Sequence, residues 1–522
     1  IGERMSALEN RGMLMFCHNH EERAMDIDPR FKVTAVVNGR MLINGELRES
    51  SQNQWLESYC PATQEYLGRV PNATAEEMAE AVTGAKAASR AWAKTTQQTR
   101  VDLIMAIAER LEARADEFAR IESLDTGNTY GPMQNDVHKA VERMRFYCGL
   151  AYEIKGMTVP STPGNLHLTI REPYGVVGRI IPFNHPIGFA ASRIAPALIA
   201  GNTIIVKPSE QAPLSASLLA EICAELAPPG VINIVTGDRL TGEALVRDSR
   251  VKRIAFIGSV ASGMAIQKAA ADSAVKHISL ELGGKNPFII CEDADIDQAV
   301  IAATNGMNFG WQGQSCGSTS RLLVHESQYA LVAQKVVDRV KTVKVGHPMN
   351  PEIKMGPVVS EAQYQKVLSY IDIAKSEGAE LLLGGEALTI DGCPGGYFVS
   401  PTVFGRVGME MRIAQEEVFG PIMSLMPYQN LDDAVEIANS TSYGLTAAIW
   451  TSNYFTAMDL CRRVEAGYVW VNGIGNHYRG QPYGGYKNSG IGREEGLDEM
   501  LSYTEVKSIN FAMGQAERAK NN

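Results

Sequence analysis

The stretch Gly313-Gln314-Ser315-Cys316-Gly317-Ser318 sets one cysteine among small neighbours that leave its sulfur room. A thiol so placed is a candidate nucleophile. The other seven cysteines (17, 60, 148, 223, 291, 393 and 461) fall in amphipathic or nondescript text and read as small buried hydrophobes. A working thiol needs a base, a donor for the oxyanion it creates and an acceptor for what leaves the substrate. Ser279-Leu280-Glu281-Leu282-Gly283-Gly284 offers a carboxylate in apolar text, where burial would raise its pKa toward neutrality and suit it to activate water. In Pro182-Phe183-Asn184-His185-Pro186, Asn184 could donate its amide to an oxyanion or cap the helix that follows. Lys207-Pro208-Ser209-Glu210 puts an acid just past a strand end, where it could accept from ribose hydroxyls and repel a 2′-phosphate. Gly258-Ser259-Val260-Ala261-Ser262-Gly263 joins a strand to a helix and could set amides against a pyrophosphate. Its spacing is neither Gly-x-Gly-x-x-Gly nor a phosphate loop.

These residues need a scaffold that brings loop ends together. With 522 residues, 45% hydrophobic and 21% charged, the chain reads as two or three globular domains. Residues 1–32 read as an N-terminal extension without periodicity, and their scattered charges argue against a secretory signal. Residues 33–66 read as short strands with a hairpin turn at Ile43-Asn44-Gly45-Glu46, 75–92, 97–126 and 135–148 as helices, and 154–171 as a two-stranded arm. From residue 175 apolar strands (175–181, 203–206, 232–235, 253–257) alternate with helices (188–200, 212–227, 242–247), which predicts a parallel α/β sheet with ligands at the strands' carboxyl ends. A second series starts near 288, and a terminal strand covers 505–511. A formal charge of −10 gives no electrostatic reason to expect nucleic acid or an anionic membrane, and no apolar run reaches the roughly 18 residues of a membrane span. The eight cysteines show no Cys-x-x-Cys pair, which predicts reduced thiols, no structural zinc and a cytoplasmic setting.

Together the motifs resemble the aldehyde dehydrogenase superfamily, in its NAD(P)-dependent, hydrolytic, non-acylating form. The likeness runs from Val33 to Phe511. It rests on the Pro-x-Asn-x-Pro loop, Lys207 to Glu210, Gly258-Ser259 with Gly263, Glu281 to Lys285, Gly-Gln-Ser-Cys316, Glu416-Glu417-Val418-Phe419-Gly420-Pro421 and Pro482-Tyr-Gly-Gly-Tyr-Lys487-Asn-Ser489-Gly490. The resemblance implies an α/β fold: a Rossmann-type NAD-binding domain from 33–150 and 173–282, a catalytic domain from 283–480, and a small β oligomerisation element from 151–172 and 481–522. It implies a homodimer or homotetramer. It implies that Cys316 is the nucleophile, that Asn184 and the Cys316 backbone N–H hold the oxyanion, and that Glu281 activates water against a thioester. NAD, or NADP, would be held by Lys207, Ser209 and Glu210, by Gly258, Ser259 and Gly263, by Ile181, Phe183 and Leu282, and by Glu417 and Phe419.

Departures from the family's text bear on the substrate. The family's loop commonly carries aromatics where Phe183 and His185 stand, so one wall of the substrate tunnel should be more polar; Ser192 should leave space, and Trp311 and Ser315 flank the nucleophile. The loop from Gly475 to Gly480 should line the tunnel mouth, with His477 or Arg479 binding a polar or anionic substituent. An aromatic or otherwise bulky aldehyde, carboxylated in one version, is the expected substrate. Aliphatic or betaine-type aldehydes, transfer to coenzyme A, and a catalytically silent homologue are the alternatives. Cys316→Ala is expected to abolish cofactor reduction in a steady-state assay; residual turnover would leave the silent or non-covalent readings standing.

Overall fold

Apolar runs without alternation, Val176–Ile180 and Thr203–Lys207, form strands buried on both faces, as a parallel sheet covered by helices requires. The computed structural model describes Val33 and residues 36–513. The extension read over 1–32, with Cys17, lies outside the described residues.

The first sheet has eight strands in the order Gly490–Ile491, His277–Glu281, Val251–Ile257, Val176–Ile180, Thr203–Lys207, Ile232–Ile234, Met41–Ile43, Glu46–Arg48. Its five central strands are parallel, and antiparallel strands close both edges. The chain winds outward in both directions from Val176–Ile180, so the strand order reverses beside it and opens a crevice at the carboxyl ends. On that rim Lys207 ends its strand, and Ile181, Gly258 and Leu282 each follow a strand end. The expected hairpin is present, with Asn44 and Gly45 at positive φ (53° and 86°) between Met41–Ile43 and Glu46–Arg48.

The second sheet has seven strands in the order Glu380–Leu383, Thr402–Gly405, Ile422–Tyr428, Arg321–His325, Pro287–Ile290, Thr446–Trp450, Tyr468–Val471, with Glu380–Leu383 alone antiparallel to its neighbour. Only residues 282–286 lie between Glu281, which ends a strand of the first sheet, and Pro287, which begins one of the second. That short link sets the carboxyl rim of one sheet against the amino rim of the other, where Cys316 lies just ahead of Arg321–His325.

Three sequence expectations need correction. The helix expected over 97–126 is two helices, Gln97–Ala113 and Ala115–Thr126, that turn at Arg114 (φ −107°, ψ 17°). The helix expected over 188–200 is Pro186–Ser192 and Ile194–Ile199, because Pro196 lacks the N–H that would bond the Ser192 carbonyl. The break turns Arg193 inward. The two-stranded arm is not contained in 154–171: Leu166–Pro173 pairs along its whole length with Thr504–Phe511, and the segment before it adds one isolated bridge, Thr158 to Leu168.

A buried ion network ties these parts together. Arg179 Nη1 lies 2.5 Å from Glu494 Oε1, and Arg193 reaches Glu494 (3.0 Å), Glu495 (3.3 Å) and Glu499 (2.8 Å). Tyr147 donates to Glu499 as well. Among the described residues no helix is long and apolar enough to cross a membrane, and no disulfide joins any of the seven cysteines. Removing one partner from a buried pair strands a charge, so Arg179→Met is expected to lower stability by about 3–5 kcal/mol in urea unfolding. A loss under about 1 kcal/mol, the size of an exposed pair, would show that the network is solvated.

Candidate active site

Cys316 sits in a loop pinned by neighbours from separate elements. The Asn286 amide donates to the carbonyls of Cys316 (2.6 Å) and Ser318 (2.9 Å). The Asn184 amide donates to the Gln314 carbonyl at 3.0 Å. The Gln314 side chain donates to Gln312 (2.6 Å) and accepts from the Val359 backbone (3.3 Å). Gly284 permits the approach, since a Cβ there would stand 2.5 Å from the Cys316 carbonyl oxygen. Asn184 does not cap the following helix, whose N-cap is His185 with no side-chain cap bond. One N–H of the Asn184 amide is used on Gln314, and its buried Oδ1 has no partner in the protein.

Glu281 is buried, and neither carboxyl oxygen has a hydrogen-bond partner in the protein. Loss of hydration, reinforced by Glu494, holds its pKa well above the carboxylate range against the pull of Arg193, Arg493 and Arg179. Cys316 keeps a partly open surface, yet burial of its sulfur, then the Glu417 and Glu281 carboxylates, push the thiol up to about 12, opposed by a hydrogen bond with Tyr483. At neutral pH the thiol is thus neutral, and it lies beside a carboxyl that holds its proton more tightly than a hydrated one. Any nucleophilic step must begin with a proton leaving the sulfur.

The rim of the first sheet gathers the expected cofactor residues. The buried Lys207 ammonium meets the exposed Glu210 carboxylate at 3.0 Å, which leaves an anionic acceptor at the surface. Ser209 accepts from the Gln211 backbone (3.2 Å), and the Ile181 N–H donates to the Lys207 carbonyl (3.1 Å). Ser259 caps helix Val260–Ala271 by accepting from Ser262, and Gly258 donates to the Glu281 carbonyl at 3.0 Å. Gly263 sits against Leu282, whose Cδ2 a Cβ would meet at 2.9 Å. Glu417 accepts from the Gly284 backbone at 2.9 Å, and burial pushes its carboxyl up to about 7. Phe419 occupies the left-handed region (φ 59°), a strained state for an aromatic, with its carbonyl held by the Gln363 amide at 2.7 Å. Its ring meets Phe183 edge-on at 5.8 Å. A surface acid beside a buried lysine, with a capped helix start on the same rim, fits a dinucleotide.

On the substrate side, His185 packs against Trp311 (5.1 Å) and Phe189 (5.6 Å), with Nδ1 2.5 Å from Asp136. His477 stacks on Tyr483 (4.4 Å) and Tyr468 (5.7 Å), with Nδ1 2.8 Å from Glu495. Ser315 is half-buried beside Cys316. Two of the expected substrate residues are committed to partners within the chain. Ser192, expected to leave space, is fully buried and its hydroxyl donates to Gly188 in its own helix at 2.5 Å. Arg479 is 60% exposed and paired with Glu142 at 2.7 Å, so its charge is spent on the surface. Trp311 also lines a cavity of about 660 Å³ with Tyr130, Pro132, Arg339 and Lys354, which does not reach Cys316.

Sequence reasoning missed Tyr483, Asn286, Asp136 and Glu494. Tyr483 stood inside a quoted motif, but its partners are set by folding; Asn286, Asp136 and Glu494 carry no local signal, since each acts through partners remote in the chain.

The sequence model of the aldehyde dehydrogenase family matches residues 47–509. Aldehyde dehydrogenase tropH of Talaromyces stipitatus is 43% identical over 467 residues, 88% of this chain and 90% of its own length. A point mutant of a Bacillus cereus aldehyde dehydrogenase superposes with a TM-score of 0.88 at 39% identity, covering 91% of this chain and 97% of its own. Staphylococcus aureus betaine aldehyde dehydrogenase in complex with NAD+ gives 0.89 at 35%, covering 92% and 95%. Because the raised Glu281 carboxyl must lose its proton before it can accept one, turnover is expected to climb as pH rises above the ordinary carboxylate range. Glu281→Gln is expected to flatten that profile and lower kcat by at least about 10²-fold. A Glu281→Gln enzyme with the wild-type profile would remove the carboxyl from the reaction.

Proposed function

The chain belongs to the aldehyde dehydrogenase family of NAD(P)-dependent oxidoreductases, and on that premise we propose that it oxidises an aromatic or otherwise bulky aldehyde to its carboxylic acid through a covalent adduct on Cys316. One observation carries this: a buried carboxyl without partners, the Asn184 amide and a thiol meet between the two sheets.

In this reading the ionised Glu281 takes the thiol proton, and the sulfur adds to the aldehyde carbon as the carbonyl electrons move to oxygen. The Asn184 amide and the Cys316 backbone N–H receive that oxyanion; a single such donor is worth about 10²–10³ in rate. When bound, the oxidised nicotinamide supplies the acceptor for the hydride that leaves the adduct carbon. Once Glu281 has released the thiol's proton to solvent, it takes a proton from a water that attacks the thioester, releasing the acid and freeing the sulfur. A buried base serves hydrolysis and does nothing for transfer to coenzyme A. Glu210 favours NAD, because its carboxylate would repel a 2′-phosphate. The outer edge of Thr504–Phe511, with Val506 and Phe511 exposed, suits pairing with a second copy, and the reduced thiols suit the cytoplasm.

Rings on both sides of the sulfur support the aromatic substrate: His185 with Trp311 and Phe189, and His477 with Tyr483, Tyr468 and Trp470. The same rings favour a second reading, a cationic aldehyde held by cation–π attraction, as the name of the S. aureus relative suggests. A kcat/KM panel separates them. Benzaldehydes are expected to exceed short aliphatic aldehydes and betaine aldehyde by at least about tenfold, the worth of about 1.4 kcal/mol of ring contact. Arg479→Ala should change neither carboxylated nor plain benzaldehyde turnover by more than about twofold, as for an exposed pair. Preference for betaine aldehyde would overturn the aromatic reading.

A further inference from the structure

We propose that the Tyr483 hydroxyl is a catalytic group: it hydrogen-bonds the Cys316 sulfur and donates to the thiolate, so this position requires a phenol and not only an aromatic ring. The proposal rests on the thiol-nucleophile reading above and deepens it.

The placement of Tyr483 is over-determined. Its backbone N–H donates to the Glu494 carbonyl (2.8 Å) and its carbonyl accepts from the Glu494 N–H (2.7 Å), an antiparallel bridge. The Glu494 carboxylate is in turn held by Arg179 and Arg193 in the buried network. The ring is buried, stacked on His477 at 4.4 Å and packed on Tyr468 at 5.4 Å. From that fixed ring the hydroxyl reaches the loop of Cys316: it stands 3.8 Å from where a Cβ on the adjacent Gly317 would be, Cys316 packs against the cluster that holds the ring, and the thiol feels the hydroxyl as a donor. The next residue, Gly484, leaves room for the other half of the chemistry, since a Cβ there would stand 2.7 Å from Glu281 Oε1. The step Tyr483-Gly484 therefore touches both nucleophile and base.

The sulfur has need of such a donor. Its charged neighbours, Glu417 and Glu281, are acidic and oppose a thiolate, while the hydrogen bonds that favour it come from the Tyr483 hydroxyl and the Cys316 backbone. In the proposed step the S–H proton passes to the Glu281 carboxylate, and the phenol keeps its own proton throughout. Its O–H···S bond shortens while sulfur carries charge and relaxes once the S–C bond forms. Phenol chemistry fits this role, because a hydroxyl whose own ionisation is suppressed by burial stays a donor at every working pH.

The test is the pH dependence of Cys316 alkylation by iodoacetamide, which needs neither aldehyde nor cofactor, with Cys316→Ala protein giving the background from the half-buried Cys148 and Cys461. In Tyr483→Phe, which keeps the ring and its stack on His477, the alkylation profile is expected to move up by about one to two pH units, the worth of one hydrogen bond to a charged group. With the best aldehyde, kcat/KM at neutral pH should fall at least tenfold and recover partly at high pH, while KM stays within twofold. Tyr483→Leu should show the same alkylation shift with a raised KM, so whichever variant folds reports on the hydroxyl. Superimposable alkylation profiles for wild type and Tyr483→Phe would overturn the proposal. A shifted profile in a protein that turns over no aldehyde would uphold it and count against the proposed function instead.

Discussion

Two arginines and three glutamates held out of water are the constraint on which the site depends. Burial alone would raise the Glu494 carboxyl, but the guanidinium groups of Arg179 and Arg193 outweigh it and keep Glu494 ionised. Taking such charges out of water costs several kcal/mol each, repaid only when geometry and count are right. That requirement fixes the relative positions of strand Val176–Ile180, the break at Arg193 and the segment from Glu494 to Glu499. Glu281 lies at the edge of this field. Close to one anion and to three cations, and hydrogen-bonded to none of them, it keeps a proton that a freely hydrated carboxyl would shed.

The architecture turns this local balance into a working cleft. Two sheets meet rim to rim, and the link from Glu281 to Pro287 is short enough that the base and the floor of the nucleophile's loop belong to one stretch. Glycines make the meeting possible. At Gly284 and Gly484 any side chain would intrude on the Cys316 carbonyl or on the Glu281 carboxyl. Strain collects at the same place, with Phe419 in a left-handed conformation held by Gln363.

The α/β alternation, the rim residues and the core of the site were legible in the text because each follows from short-range pattern. Buried strands show as apolar runs, a reactive cysteine shows as small neighbours, and Glu281 shows as an acid between leucines. What stayed hidden depends on partners remote in the chain. The pairing of Arg479 with Glu142 and the turn of the Ser192 hydroxyl onto Gly188 could not be read from the text. Asn184 was ambiguous between cap and oxyanion donor; the fold removes the cap and turns its amide onto the loop carrying Gln314. Glu417 and Phe419 carry no local signal and were singled out through likeness alone. Tyr483 passed as one aromatic in a motif, because no sequence pattern says which way a phenol points.

Strand Gly490–Ile491 closes the edge of the first sheet against His277–Glu281, with Leu280 opposite Ile491 and Glu281 opposite Gly490. During synthesis Cys316, Glu281 and Asn184 therefore all emerge well before the residues that shelter them. Until those arrive, the edge of the sheet bearing Glu281 stays unpaired and its carboxyl stays hydrated and ordinary in acidity. Chemical competence is thus gained late and all at once, and a nascent chain with every reactive group in place carries no active cleft with which to act on a cellular aldehyde.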